Sequence, residues 1–469
     1  MEARMDTSGL QTKAPDNDWP RRTGLVFAVA LGVRWVYALV VHATLGREGL
    51  LGPDSVGYSM LAADFVAGAA LTMPAGFAWL GPEPGLMPLF FLCLAAAHAI
   101  AGSSGDLFFV LAQCLVDAST CVVVASMARA IDPRIATAAG MFAALCPTMI
   151  VMSGMVYTDS LFTLFVALAL RASLDWLRRP GWATAAAIGA AIGAAALCRI
   201  LVVPWMPFLL AFLLAAAFLA GKPRATSVAQ LAACGAIVLL AISPVVARNV
   251  VLHGSWALTP QGGPHLALWV VPLVEEAATG VPHAAGAARM NRLRDARFGA
   301  ASENRFEESR RLETLGREEL ARLGPLPLAK AWSLGAAINI GAPAALISPP
   351  VSMLPRTGFY ETPGDTRLAK VWNFLFRSGN PLHAWIVLSG AMGVLAFRLL
   401  QLRGLLAIGA SRTAWPAMVL GAMWVGYVIA ISGPVGSPKY RLPAEPVLAI
   451  LSAAGWAAMT RRRHCSGHA

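Results

Sequence analysis

Charge is what this chain has least of. Only 13% of its 469 residues are Asp, Glu, Lys or Arg, and 57% are apolar, whereas soluble domains carry about a quarter charged residues. With a mean hydropathy of +0.62, a soluble globular protein is excluded. Acids are the scarcer sign, 25 against 37 Lys and Arg. Cysteine is sparse too. Six of the seven (Cys93, Cys114, Cys121, Cys146, Cys198, Cys234) fall in apolar runs without CxxC or metal-ligand spacing. They read as small buried hydrophobes, with no disulfide framework. No run alternates with period two, which removes a membrane barrel and leaves helices. The first 23 residues have neither the apolar core nor the small-residue cleavage site of a signal peptide, so the first apolar run is expected to stay as an anchor.

What the chain does have is long apolar runs. Crossing a bilayer takes roughly 20 such residues. Ten stretches qualify, near 24–44, 107–127, 135–153, 160–177, 182–199, 201–220, 227–247, 383–401, 415–433 and 443–460. Runs 85–103 and 333–354 are ambiguous. The fold class expected is an all-α polytopic membrane protein with about ten transmembrane helices, between ten and thirteen once ambiguous segments are counted, plus outward-facing juxtamembrane helices.

The net charge of +12 is spread as the positive-inside rule wants, not as a nucleic-acid surface. Arg21 and Arg22, Arg129 and Arg134, Arg178 and Arg179, Lys222 and Arg224, Arg398 with Arg403 and Arg412, and Arg461 to Arg463 all border short turns or termini. If the ten runs alternate with both termini inside, every cluster faces the cytoplasm. An odd number of extra crossings would break that agreement. The long segments 45–106 and 248–382, and the short 432–440 connection, then face outward. The organisation expected is a cytoplasmic tail (1–23), a membrane core (24–265) with first outer loop 45–106, an outward segment (266–382), C-terminal spans (383–460) and a cytoplasmic tail (461–469). The run after the Pro- and Gly-rich 81–88 stretch reads as an interfacial helix. From Arg289 to Arg322, nine Arg stand against seven acids at helical spacing, which reads as solvated amphipathic helices or as a basic acceptor surface.

Against this background, single acids at span ends stand out. Gly52-Pro53-Asp54 follows the first span, and Asp159 opens another outward end. Each has a bland explanation, as an N-cap or Asx turn at a helix start. Each also has a chemical one, since a half-desolvated carboxylate at a membrane rim is a serviceable general base. Lys439-Tyr440-Arg441 puts cations on the outward side against the charge rule. They are either snorkelling side chains or phosphate ligands. Arg248 and Arg199, at two further outward span ends, are candidates for the same cavity, as are Tyr58, Tyr157 and Tyr440.

Four stretches together resemble a known family. They are Asp54-Ser55-Val56-Gly57-Tyr58 with Leu61-Ala62-Ala63; Pro84-Gly85-Leu86-Met87-Pro88-Leu89-Phe90-Phe91; Thr158-Asp159-Ser160-Leu161-Phe162; and Ser243-Pro244, Arg248-Asn249, Gly254 and Gln261-Gly262-Gly263 with Lys439-Tyr440-Arg441-Leu442-Pro443. Their order and spacing are similar to those of the multi-spanning GT-C glycosyltransferases, in the branch of protein O-mannosyltransferases and lipid A aminoarabinose transferases. The resemblance runs over 24–265 and returns near the C-terminus.

It implies a sugar donor on a polyprenyl phosphate at the outer face of an inner membrane, with a glycan, lipid or protein acceptor from the cell envelope. Asp54 would be the catalytic base of an inverting displacement. Asp159 would assist, through a divalent metal or by positioning the acceptor. Lys439, Arg441 and Arg248 would hold the donor phosphate. Where the family commonly has a second acid in the first loop, this chain has Ser55, and no lysine occurs in 45–106. Two other classes stay open: a lipid or anion transporter, which calls for mid-span charges such as Arg34 and Asp117, and a membrane glycan polymerase or ligase using the 289–322 stretch.

Overall fold

The computed structural model describes residues 18–68, 80, 84–355, 357–359, 361–377, 379–410 and 414–466. Arg412, most of the N-terminal tail and the Gly81-Pro82-Glu83 part of the proline-rich stretch lie outside them. No strand occurs among the described residues.

The helices run in chain order as α1 (Trp19–Leu45), α2 (Ser55–Val66), α3 (Pro88–Ala101), α4 (Gly105–Ile131), α5 (Ala136–Ala144), α6 (Pro147–Ser153), α7 (Asp159–Arg178), α8 (Trp182–Cys198), α9 (Met206–Leu219), α10 (Arg224–His253), α11 (Gly262–His265), α12 (Val271–Thr279), α13 (His283–Phe298), α14 (Arg305–Leu323), α15 (Pro325–Gly341), α16 (Pro349–Ser352), α17 (Arg367–Phe376), α18 (Pro381–Gly409), α19 (Trp415–Ser432) and α20 (Glu445–Ser466). A 3-10 stretch, Pro438–Ala444, leads into α20.

Eight helical stretches among the described residues are long and apolar enough to cross a membrane. The bent pair α5–α6, turning by 50°, makes a ninth, and α8 is an apolar helix of 17 residues. All ten runs expected from the sequence fall on these, so the chain is a multi-pass membrane protein. The ambiguous runs fall on shorter helices. α3 has 14 residues, and the Phe90 ring lies 5.5 Å from that of Phe109. A continuous helix would hold residues 19 apart at about 28 Å, so α3 folds back onto α4.

Small residues let the spans approach closely. A Cβ on Gly189 would stand 2.7 Å from the Cys234 carbonyl, and one on Gly404 1.9 Å from that of Leu451. These gaps seat α8 on α10 and α18 on α20, as small residues do where lipid supplies no hydrophobic drive. One large core, with Trp176, Trp205, Trp424 and Phe162 fully buried, spans α1, α4 to α10, α19 and α20. A second core packs α2, α3 and the outer half of α4. Smaller ones hold helices α12 to α15.

The mid-span charges form part of this packing. Arg34 and Asp117 are fully buried, with Nε 2.5 Å from Oδ2. Arg34 Nη1 also donates to the Ala144 carbonyl at 2.8 Å, and Nη2 to that of Ala143 at 3.3 Å. Pro147 lacks the N–H that would continue the ladder to Ala143, and it breaks the helix there; the Ala143 carbonyl accepts from Cys146 N at 3.2 Å as well as from Arg34. The arginine mends a broken span, and the aspartate neutralises it. The pair therefore lacks the open ionisable path that a transporter would need.

Candidate active site

The site begins with a stitched loop. Leu50 O accepts from Val156 N at 2.9 Å, and Ser55 Oγ donates to Val156 O at 2.5 Å. These two bonds lay the Gly52-Pro53-Asp54 turn across the 155–158 connection ahead of α7. Ser55 is fully buried, so the position where the resembled family puts a second acid is one that holds the loop. A carboxylate there would face a carbonyl with no proton to offer. Gly52 is required at its place: a Cβ would stand 1.9 Å from the Tyr157 hydroxyl.

Asp54 precedes α2 but does not cap it, since its side chain accepts no backbone hydrogen bond there. The N-cap explanation fails. Half-exposed instead, Asp54 Oδ2 pairs with Lys439 Nζ at 3.2 Å, across 385 residues of chain. The ammonium sits between two aromatic rings, 5.4 Å from the centroids of both Tyr157 and Tyr440, a cation–π arrangement. Asp159, 3% exposed, opens α7, where the positive helix end favours an acid. Its carboxylate accepts from Arg199 Nη1 and, at 3.3 Å, from Thr158 Oγ1. Arg199 is placed for this by the extended residue that ends α8. Tyr58 stands edge-on to Phe90 at 5.5 Å.

Seven candidates from the sequence thus share one electrostatic neighbourhood. The Tyr58 phenol is pushed up from its ordinary value by burial, then by Asp54 and Asp159, with Arg199 and Lys439 pulling down. Burial pushes the Tyr157 phenol up to about 12, against Lys439 and with Asp54. Both tyrosines are therefore neutral hydrogen-bond donors at physiological pH, not bases. Arg199 in turn feels Tyr440 and Tyr58.

Two candidates go elsewhere. Arg441, 6% exposed, donates through Nη1 to the carbonyls of Asn339, Ile340 and Ala342 at 2.9, 3.2 and 2.9 Å. Its Nη2 donates to Thr148 Oγ1, and its Nε to Glu445 at 2.6 Å. It serves as the C-terminal cap of α15, whose last carbonyls have no helical partner. Arg248 is also buried. It donates to Asn249 Oδ1 at 3.0 Å and to the Leu80 carbonyl at 3.2 Å. Gln261 donates to Gly85 O at 2.8 Å, so this motif clamps the proline-rich lead of the first outer loop onto α10. Neither arginine is brought to the Asp54 cluster, because each meets carbonyls first.

A buried knot beneath α2 carried no signal in the sequence. Asp106 accepts from Arg47 Nε at 2.6 Å and Ser59 Oγ at 2.7 Å, with His98 Nε2 at 3.1 Å. Ser, His and Asp are the residues of a hydrolytic triad, but here one ring nitrogen faces both partners, and Ser59 lies 3.4 Å from it. A triad histidine takes the serine proton on one ring nitrogen while the aspartate holds the other, which this sharing does not allow. The knot ties α2, α3 and α4 together under the Asp54 turn. Only the spacing of Ser59, His98 and Asp106 on α2, α3 and the start of α4 could have suggested it, and that needs the hairpin of α3 to be known.

A divalent metal does not fit the donor set as it stands. A hard cation asks for several oxygen ligands. Asp54 and Asp159 are each paired with a cation, and no group of three His, Cys, Asp or Glu converges among the described residues.

An all-α bundle of spans carries this polar cluster where the 46–58 segment meets the last connection. The chain matches the archaeal oligosaccharyltransferase AglB from Archaeoglobus fulgidus, solved with an inhibitory peptide and a dolichol-phosphate, at TM-score 0.56 and 16% identity. The match covers 96% of this chain and 51% of that one. The apo form of the A. fulgidus oligosaccharyltransferase matches at TM-score 0.54 and 16% identity, over 97% and 52%. The chain therefore spans about half the length of those structures. ArnT from Cupriavidus metallidurans in the apo state gives 0.39 and 18%, over 93% and 78%. No curated protein matches.

In sequence, residues 82–247 match the family described as Dolichyl-phosphate-mannose-protein mannosyltransferase. That stretch contains three of the resembling segments in whole or part, including Asp159 and Ser243-Pro244. The resemblance read from the sequence holds for the fold and for this stretch.

Proposed function

We propose that the chain is a membrane glycosyltransferase, which moves a sugar from a polyprenyl-phosphate donor to an acceptor hydroxyl or amine of the cell envelope at the outer face of an inner membrane. The observation that carries this reading is the Asp54–Lys439 pair. It joins an exposed acid of the first loop to the one cation of the last connection that is not spent on backbone carbonyls, in a fold shared with an archaeal oligosaccharyltransferase solved with a dolichol-phosphate.

The acceptor approaches the anomeric carbon from the face opposite the phosphate. Its oxygen or nitrogen forms the new bond, the carbon–oxygen bond to phosphate breaks, and polyprenyl phosphate leaves with that electron pair. Asp54 takes the acceptor's proton, a role worth about 10²–10⁴ in rate. Lys439 exchanges its carboxylate partner for the phosphate and stabilises the charge that develops on it. That exchange also frees Asp54 to act as base. Asp159, held by Arg199, shapes the acceptor side, while Tyr58, Tyr157 and Tyr440 wall the cavity and donate hydrogen bonds. No step is routed through a metal. The domain layout read from the sequence suits this division, with residues 24–265 and 383–460 supplying the core and 266–382 lying over it.

The test is transfer of a radiolabelled sugar from polyprenyl phosphate in membranes holding the full chain, with and without candidate acceptors. Transfer that is lost in Asp54→Asn at unchanged expression supports the reading. Full activity in that variant overturns Asp54 as the base. Uptake or flipping of the donor with no transfer would favour a transporter, and growth of a lipid-linked polymer would favour a polymerase.

A further inference from the structure

We infer that a crevice between α5, α6, α18 and α20 is a separate lipid site, which seats the anionic phosphate head of a bilayer phospholipid against Arg398. A cavity of ≈ 260 Å³ lies there, walled by Phe142, Thr148, Val394, Phe397 and Ala449, with Arg398, Arg441 and Glu445 facing it. The sequence suggested that Arg398 flanks an inward turn. Instead it points back into this crevice, 11 residues before the end of α18.

The charges in the crevice do not balance. Arg398 Nε donates to the Ile340 carbonyl at 3.1 Å, and Arg441 Nη1 donates to the same oxygen at 3.2 Å. Two guanidiniums thus converge on one carbonyl. Glu445 is the one acid in the wall, and Arg441 Nε already holds it at 2.6 Å. Arg398 Nη1 reaches only the neutral Gln401, and its Nη2 has no partner among the described residues. One positive charge is left over beside a mostly apolar wall. An uncompensated charge in such surroundings calls for a counter-ion.

The approach to the crevice decides what kind of anion fits. Leu395 and Leu399, one turn apart on α18 beside Arg398, are 53% and 62% exposed, as befits a face turned to lipid. An anion arriving through lipid carries an apolar tail, and an arginine fork matches a phosphate. The donor site is a different place: Lys439 lies on the same 3-10 stretch as Arg441, yet it turns to Asp54 while Arg441 turns to the crevice. A polyprenyl phosphate carries the same head, so the test must separate the two lipids.

The experiment is native mass spectrometry of the purified full chain, titrated separately with phosphatidylglycerol, phosphatidylcholine and undecaprenyl phosphate. Wild type is expected to retain one phosphatidylglycerol about tenfold more tightly than phosphatidylcholine, whose choline cation offsets the phosphate charge that Arg398 meets. Arg398→Gln should remove that preference. Ala449→Phe, which fills the crevice and keeps both guanidiniums, should also remove it, with an unchanged melting temperature showing that the fold is intact. Lys439→Gln should leave it untouched, so the outcome is independent of whether the chain transfers a sugar. Unchanged phosphatidylglycerol binding in both crevice variants would overturn the site. So would its loss in Lys439→Gln, or displacement of phosphatidylglycerol by undecaprenyl phosphate, since either makes the crevice part of the donor site.

Discussion

At the scale of single residues, two neighbours on one short turn have opposite duties. Lys439 is half-buried and meets a carboxylate, while Arg441 is buried and holds three carbonyls and Glu445. Lys439→Ala is therefore expected to abolish transfer with little change in melting temperature. Arg441→Ala leaves Glu445 charged and unpaired, which costs about 3–5 kcal/mol, and should lower the melting temperature whether or not a donor is present. Measuring transfer and thermal stability side by side separates the two. Gly52→Ala should also reduce transfer, because the added methyl would overlap the Tyr157 hydroxyl and displace one wall of the Lys439 site. Tyr157→Phe, which keeps the ring, should retain most of the rate. Asp54, Asp159 and Lys439 were legible in the sequence because they break its own habits, acids in an acid-poor chain and a cation on the wrong side. Arg441 broke the same habit for a reason that no local pattern reveals: the helix end it caps lies about a hundred residues upstream.

At the scale of elements, the break between α5 and α6 shows how a kink in lipid is made tolerable. Pro147 interrupts the ladder, Arg34 donates to the two carbonyls at the break, and Asp117 neutralises Arg34. Arg34→Met should destabilise the chain by about 3–5 kcal/mol, since it strands a buried carboxylate. Adding Asp117→Leu should recover part of that loss, read as the shift in melting temperature of single and double variants. The helix count was legible because long apolar runs have few other meanings. The hairpin of α3 on α4 was not. Its 14 residues fit an interfacial helix equally well, and only the contacts of Phe90 and His98 fix its direction.

At the scale of the molecule, the 266–382 segment has its own small core and its own ionic lattice. Arg289 bridges Glu275 and Glu319, and Arg294 joins Glu308. Most of the charge in the 289–322 stretch is thus paired within it, which suits a solvated cap better than an open basic surface. If that cap faces outward, a cysteine at exposed Glu303 should react with a membrane-impermeant maleimide added to intact cells, and one at exposed Arg179 should react only after lysis. The reverse pattern would invert the topology. The bundle and its polar rim could be read from charge and hydropathy because both are one-dimensional signals. The crevice at Arg398 could not, since it depends on two spans lying parallel with a third connection between them.

The contact between Asp54 and Lys439 also has a consequence in time. The two halves of the site are 385 residues apart in the chain, so the ribosome releases the first long before the second exists. A chain whose last span has not yet been inserted has an acid without its lysine and a loop without its Tyr440 wall. On the proposed reading, a molecule that stops before Lys439 has no complete site with which to squander donor lipid on water.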